Sequence, residues 1–290
     1  MPPDHLHTDE YVAVARDVAG EVGAEITVLQ HETLGPEFGG LWGVGKASAH
    51  MPALVILKYT PPADRAAAGA GSDGSKTICM VGKGIVFDTG GLSIKGKEFM
   101  PGMKRDMGGS AAILAAFRTL ALTKATTHTV YALLCIAENS VGKDATRPDD
   151  ILDMYSGKTV EVNNTDAEGR LVLGDGVAYA EKNLSPDIII DMATLTGAQG
   201  VSTGKRHGAI YTNDEEMETL LVAAGKTSGD LAHPLPYCPE FFRSEFASVC
   251  ADMKNSVKSR ANAQSSCAGQ FIGNHLGKFL ETGKWAHIDM

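Results

Sequence analysis

The sequence predicts an α/β fold, a three-layer sandwich in which a mostly parallel central sheet carries helices on both faces. Apolar segments of strand length alternate with segments whose apolar residues recur at helical spacing, a pattern typical of βαβ units. Because crossovers in such units are right-handed, the helices cover both faces of the sheet. With 290 residues, 43% hydrophobic and 21% charged, the chain resembles an ordinary globular protein that can bury a sizeable core.

Each element follows from its hydrophobic period and from the residues at its ends. Residues 8–22 are predicted to form a helix because Asp9 and Glu10 occupy the first turn and valines and alanines form one face. The tract 61–76, rich in Pro, Ala, Gly and Ser, is predicted to be a mobile surface loop within one domain. The remaining predicted strands are 25–29, 53–59, 77–81, 129–137 and 187–192, and the remaining predicted helices are 108–122, 167–182, 214–225 and 268–279.

Composition excludes several classes of function. A net charge of −9 disfavours nucleic acid and anionic membranes as partners. No apolar run approaches the roughly 20 residues of a membrane-spanning helix, and we expect no secretory signal. Five cysteines without a CxxC motif indicate reduced thiols and hence a cytoplasmic protein, and Cys79 and Cys135 are predicted to be core residues.

Four carboxylates, Asp88, Asp106, Asp166 and Glu168, lie in glycine-containing runs beside predicted strand ends and helix starts. If they converged without cations, their mutual repulsion would keep some of them protonated. Their combined charge balances two divalent cations, which at a separation of roughly 3.5–4 Å would activate a bridging water. The carboxylates therefore predict a two-metal site, in which oxygen-rich ligation makes manganese, magnesium or cobalt plausible beside zinc.

Other interpretations of these runs stay open at the level of the residues. Asp166 and Glu168 alone would fit a capped helix start with an acidic first turn. The glycine-rich run around Lys83 lacks the GxxxxGK[ST] spacing of a phosphate loop, which disfavours a nucleotide site. Lys83 could ligate a metal only as a neutral amine, and spacing does not separate that role from a surface or salt-bridging lysine.

Three strings, VGKGIVFDTGG, MKRDMGG and NTDAEGRLVLGD, resemble the signature of the leucyl (cytosol) aminopeptidase family of dinuclear metallopeptidases. NTDAEGRL is a highly specific string, unlike a lone GxGxxG. The resemblance extends from about Tyr11 through DMATLTGA to the final WAHIDM, and it is greatest to the probable aminopeptidase-like branch of animals.

The resemblance implies a role for each matching position. One metal would be held by Lys83, Asp88, Asp106 and Glu168, and the other by Asp88, Asp166 and Glu168. Lys95 matches the electrophilic lysine of the family, and Arg170 matches the arginine that binds a bicarbonate-like proton shuttle. The positions that match the lining of the substrate pocket are Met103, Thr194, Leu195 and Gly197, although core filling by Met103 and helix capping by Thr194 remain open.

The resemblance implies a metal-dependent aminopeptidase in which a water activated by two metals, zinc or manganese with magnesium or cobalt as alternatives, releases the first residue of a peptide. Residues 1–290 would form the catalytic domain, without the amino-terminal domain and the extreme carboxy-terminal segment of relatives. The family implies a homohexamer. The alternatives are a truncated, non-catalytic subunit of such an assembly and a two-metal phosphohydrolase.

Overall fold

A computed structural model of the protein describes residues 1–30, 33–62 and 74–290, and its centre is an eight-stranded sheet of order β1-β2-β4-β3-β7-β11-β8-β9. These strands are β1 (Glu25–Gln30), β2 (Ala53–Tyr59), β3 (Thr77–Asp88), β4 (Thr129–Asn139), β7 (Ile188–Ala193), β8 (Gly208–Thr212), β9 (Ala232–Pro234) and β11 (Lys284–Asp289). A small second sheet consists of β5 (Ile151–Asp153), β6 (Thr159–Glu161) and β10 (Met253–Lys254). The helices are α1 (Thr8–Val22), α2 (Gly39–Gly45), α3 (Gly108–Thr123), α4 (Gly169–Leu184), α5 (Gly197–Ser202), α6 (Glu215–Ser228), α7 (Pro239–Phe242), α8 (Gln264–Gly273) and α9 (Phe279–Thr282).

The middle of the large sheet is parallel. Strand β3 pairs in parallel with β4 and β7, and β7 pairs in parallel with β11. Antiparallel pairing begins towards both edges, between β1 and β2, β2 and β4, and β11 and β8. The predicted α/β fold with a mostly parallel centre is confirmed, and the parallel strands bring their carboxyl ends to one edge of the sheet.

Helices cover both faces of this sheet. Along β3, Cys79 and Val81 point into a core cluster that contains residues of α2, α4 and α8. Met80 points to the opposite face, into a cluster with residues of α1 and α3. This alternation is the period of two that a strand buried on both faces requires. Cys79 and Cys135 are fully buried, as predicted.

Helix boundaries near the end of the chain differ from the prediction of one helix over 268–279. Helix α8 stops at Gly273, and α9 begins at Phe279. Between them the buried His275 ring contacts Ser156 Oγ at 2.8 Å. The amides of Gly277 and Phe279 donate to the carboxylate of Glu181 at 2.7 and 3.1 Å. The apolar residues recur at helical spacing across this break, so the sequence does not reveal it. The residues that stabilise the break, Ser156 and Glu181, lie in distant segments.

Two further outcomes concern the predicted loop and membrane segments. Most of the predicted loop 61–76 lies outside the described residues. Within the described ranges, no helix is long and apolar enough to cross a membrane.

The packing of α3 on β7 yields a stability prediction. A Cβ added at Gly109 would lie 2.1 Å from Met192 O, a backbone atom that cannot give way cheaply. Because overpacking costs about 1–3 kcal/mol even where side chains can adjust, we expect Gly109→Ala to lower the free energy of unfolding by about 3 kcal/mol or more. Urea denaturation measures this change.

Gly20→Ala in α1 is the matched control, because nothing lies within 4 Å of its added Cβ. That variant should raise the free energy of unfolding by about 0.5–1 kcal/mol through helix propensity. Equal stability of Gly109→Ala and the wild type would contradict the close contact between α3 and β7.

Candidate active site

Strand β3 places Lys83 inside the protein, with its side chain 3% exposed. Lys83 Nζ lies 2.8 Å from Asp106 Oδ2 and 2.9 Å from Glu168 Oε1. It also donates to Thr194 O at 3.1 Å. A Cβ at Gly169, the first residue of α4, would lie 2.7 Å from this Nζ, so only glycine leaves room for the ammonium. Lys83 thus connects three segments of the chain: Asp106 follows β3, Glu168 precedes α4, and Thr194 follows β7.

Lys95 joins the other two carboxylates. Its Nζ lies 2.8 Å from Asp88 Oδ2 and 2.6 Å from Asp166 Oδ1. The chain turns back towards Asp88 through Gly90, whose φ of 85° favours glycine. The amide of Gly90 donates to Asp88 Oδ1 at 2.8 Å. A side chain at this position would meet Asp166 Oδ1 at 2.9 Å, which explains the glycine in the motif.

The buried carboxylates form a cluster that could hold a metal ion. Asp88, Asp106 and Glu168 each offer a ligand atom, and these atoms lie within 4.8 Å of one another. Glu168 Oε2 is buried and has no hydrogen-bond partner among the described residues. Asp166 contributes a fourth carboxylate through its contact with Lys95. The two lysine ammonium groups offset only two of these four carboxylates.

Burial makes the remaining negative charge costly. Burial, together with the charges of Asp88 and Asp106, raises the pKa of Glu168 to about 8. Burial also raises the pKa of Asp106 and of Asp166. For Lys83, burial alone would lower the pKa, but the surrounding carboxylates outweigh it and raise the pKa instead. A divalent cation in this cluster would relieve the excess negative charge without requiring protons.

The acidic cluster opens into a cavity of about 330 Å³ at the carboxyl ends of β3 and β7. Its wall contains Lys83 and Lys95, together with the four carboxylates and the four residues predicted to form the substrate pocket. Three residues that the sequence did not single out, Arg105, Thr196 and Met290, complete the lining. The lining residues from the sequence prediction are Lys83, Asp88, Lys95, Met103, Asp106, Asp166, Glu168, Thr194, Leu195 and Gly197.

Arg170 does not line this cavity but lies buried near it in the first turn of α4, 9% exposed. Its Nε and Nη1 have no hydrogen-bond partner within the described part of the chain. Burial lowers the pKa of Arg170, yet a guanidinium keeps its charge over the physiological range. Buried, unpaired guanidinium donors are the chemistry that an anion satisfies.

Thr194 contacts the acidic cluster instead of capping a helix. Its hydroxyl donates to Asp106 Oδ1 at 2.9 Å, and its carbonyl accepts from Lys83. Thr196 caps α5 instead, since its hydroxyl accepts from the amide of Gln199. Met103 is half-buried on the cavity wall and not in the core.

Asp289 anchors the loop between β7 and α5, a role that the sequence did not suggest. Its Oδ1 accepts from the amides of Leu195 and Thr196, both at 3.1 Å. Its Oδ2 accepts from Thr196 Oγ1 at 2.6 Å. The sequence carries little signal for this role, because Asp289 is one of three polar residues in its strand and its partners lie more than 90 residues earlier.

Asn139 is a second supporting residue that the sequence did not suggest. It ends β4 in register with Asp88, and its Nδ2 donates to Asp88 Oδ1 at 2.8 Å. The same amide donates to Thr165 O at 3.1 Å. The sequence did offer a signal, since Asn139 is a polar residue at the carboxyl end of an apolar strand. Parallel neighbouring strands end side by side, so such a residue can be expected near Asp88.

Comparison with known proteins places the whole chain in one family. The catalytic domain of the cytosol aminopeptidase family matches residues 1–290. The human protein named probable aminopeptidase NPEPL1 is 56% identical over 291 residues, covering 100% of this chain and 53% of the relative. The chain therefore spans about half the length of such curated relatives.

Solved structures agree with this assignment. Leucyl aminopeptidase from Trypanosoma cruzi superposes with a TM-score of 0.93 at 49% identity, over 100% of this chain and 55% of that one. Leucyl aminopeptidase from Trypanosoma brucei in complex with bestatin has the same TM-score at 45% identity, over 100% of this chain and 54% of that one. This chain belongs to the cytosol aminopeptidase family, whose catalytic domain it matches along residues 1–290.

Proposed function

We propose that this chain forms the catalytic site of a metal-dependent aminopeptidase, which removes the amino-terminal residue from peptides. The observation that carries the proposal is the group of buried carboxylates whose ligand atoms lie within 4.8 Å of one another at the base of an open cavity. A free amino terminus, in its neutral form, brings a nitrogen lone pair that a metal ion held by this cluster would bind.

The donor set fits two divalent cations. Lys83, Asp88, Asp106 and Glu168 would hold one, and Asp88, Asp166 and Glu168 the other. Lys83 would bind as the neutral amine, so a cation entering the cluster would take the place of its ammonium proton. The unpartnered Glu168 Oε2 and the excess of carboxylates over ammonium groups support this assignment. Zinc or manganese are the proposed ions, with magnesium or cobalt as alternatives, because the ligands are mostly oxygen. When bound, the ions supply Lewis acidity, which polarises the scissile carbonyl and makes a water nucleophilic near neutral pH.

Lys95 would stabilise negative charge on the substrate. Its side chain is 15% exposed, and its Nζ reaches the cavity where Asp88 and Asp166 meet. Burial would lower its pKa, but those two carboxylates outweigh burial and raise it, so the group stays cationic. A cationic donor at this point can bond to the carbonyl oxygen as that oxygen gains charge during attack.

Arg170 would hold a small anion, bicarbonate in the proposal, through its two unpartnered donors. When bound, such an anion would supply a base beside the cavity for the proton of the attacking water. Because the guanidinium does not titrate in this range, it keeps the anion in place without competing for that proton.

The pocket for the first side chain would be formed by Met103, Thr194, Leu195 and Gly197. Leu195 and Met103 supply apolar surface, while Gly197 leaves space, since nothing lies within 4 Å of an added Cβ there.

The chain would act in the cytoplasm as a homohexamer, with peptides as substrates. The name of the family supports the location.

The proposal is tested by assaying the purified chain, loaded with manganese or zinc, on leucine p-nitroanilide and on bis(p-nitrophenyl) phosphate. We expect hydrolysis of the amide only, loss of activity after chelation and recovery after metal is restored. The double variant Asp88→Asn/Glu168→Gln is the matched negative control. Preferential phosphodiester cleavage, or an inert chain that binds two metals, would refute the proposed reaction. Mass photometry reports the oligomeric state.

Replacing Lys95 separates its role from metal binding. Removing one donor to a developing oxyanion costs about 10²–10³ in rate, so we expect kcat of Lys95→Ala to fall by at least about 100-fold while metal content stays unchanged. Lys97→Ala, two residues away on an exposed side chain, should retain wild-type kcat. Normal turnover by Lys95→Ala at matched metal loading would exclude the proposed role.

Replacing Asp289 tests the loop that forms the pocket. Asp289→Ala removes three hydrogen bonds that fix Leu195 and Thr196, so we expect KM for leucine p-nitroanilide to rise about tenfold with metal content unchanged. Asp289→Asn keeps one carbonyl oxygen for the two amides and should recover most of the affinity. If KM is equal in Asp289→Ala and the wild type, the loop does not depend on this anchor.

A further inference from the structure

We propose a second metal site, separate from the acidic cluster, formed by His7, Asp9 and His50. We call these three residues the histidine site. His7 immediately precedes α1, Asp9 lies in its first turn, and His50 lies in the connection before β2. The site would take one divalent transition ion, with zinc as the expected occupant.

The three side chains already converge. Each offers one ligand atom, and these atoms lie within 4.8 Å of one another. His50 Nδ1 is 2.7 Å from Asp9 Oδ2. The rings of His7 and His50 stack with centroids 3.6 Å apart and planes 3° from parallel, so the two imidazoles are in direct contact.

One donor in this group lacks a partner. His7 Nδ1 is buried and forms no hydrogen bond among the described residues. The Asp9 carboxylate, in contrast, is held by a hydrogen bond to the oxygen that does not face His50, since Gln30 Nε2 donates to Asp9 Oδ1 at 2.9 Å. The same Gln30 amide donates to Met51 O at 3.1 Å and is therefore fixed itself. Such outer hydrogen bonds orient the ligands in known metal sites.

Two imidazoles and one carboxylate make a donor set that suits zinc, with a water as the fourth ligand. Bonds of 2.0–2.1 Å in a tetrahedron require donor separations of roughly 3.3 Å. Parallel ring planes cannot both contain one ion, so one imidazole must turn about its Cβ–Cγ bond. The exposure of the group permits this movement and the entry of an ion, because the Asp9 and His50 side chains are 50% and 36% exposed.

An ion here would join the beginning of α1 to the segment that leads into β2. The residues of the histidine site do not line the catalytic cavity, so the ion would stabilise the fold without participating in peptide hydrolysis. The proposal is therefore independent of the function proposed for the acidic cluster.

Zinc content per chain tests the proposal. The wild type, His7→Ala, His50→Ala and the control His233→Ala are equilibrated with zinc at one buffered free concentration and analysed for bound metal. His233 is an exposed histidine outside the site. We expect His7→Ala and His50→Ala each to bind one zinc equivalent fewer than the wild type and His233→Ala, with unchanged aminopeptidase activity. Equal zinc content in all four proteins would overturn the proposal.

A second measurement observes the imidazoles directly, in the wild type and in Asp9→Asn. Imidazole nitrogen resonances recorded by NMR during zinc titration should show His7 and His50 shifting together, and Asp9→Asn should weaken that transition at least tenfold. Shifts at neither histidine, at zinc concentrations that fill the acidic cluster, would also overturn the proposal.

Discussion

The concentration of negative charge in one buried place is the constraint on which the rest of the structure depends. Four carboxylates share a cavity wall, and the three that are most deeply buried are 2–6% exposed. Such a group is unfavourable unless cations accompany it, because desolvation and mutual repulsion both act against ionisation. Lys83 and Lys95 are the resident counter-charges, each between two acids. The excess of carboxylates over ammonium groups destabilises the fold, and the same excess would attract cations to the cavity.

The parallel centre of the sheet makes this concentration geometrically possible. Strands β3 and β4 end in register at Asp88 and Asn139, while the segment after β7 supplies further residues of the cavity wall. Glycines remove the remaining steric obstacles, as at Gly169 beside the Lys83 ammonium. The sheet itself fixes Asp88 and Lys83, both on β3. Asp106 and Glu168 lie outside the strands and are held through Lys83, which is the kind of support that a preorganised site requires.

The sequence was sufficient for the α/β fold, for the longer helices, for strands β1 to β4 and β7, and for ten of the thirteen residues that line the cavity. The short helices and the remaining strands were not predicted. The hydrophobic period of the long elements predicted the fold, and the string NTDAEGRL with its two companion motifs predicted the site residues. The sequence could not show whether Lys83 pairs with carboxylates, because that depends on Asp106 and Glu168 reaching it from other segments. The break between α8 and α9 was hidden for the same reason, since Glu181 caps it from α4. Spacing along a chain reports local structure, whereas these contacts are decided by tertiary packing.

Strand β11 is inserted between β7 and β8, although both precede it in the chain. During synthesis, a nascent polypeptide that ends before residue 284 therefore has two sheet halves with no strand to connect them. The same late strand supplies Asp289, whose partner Leu195 is translated 94 residues earlier. This wall of the cavity can consequently form only after β11 has been synthesised, and a ribosome-bound intermediate without that strand would carry the four acids beside an unanchored loop.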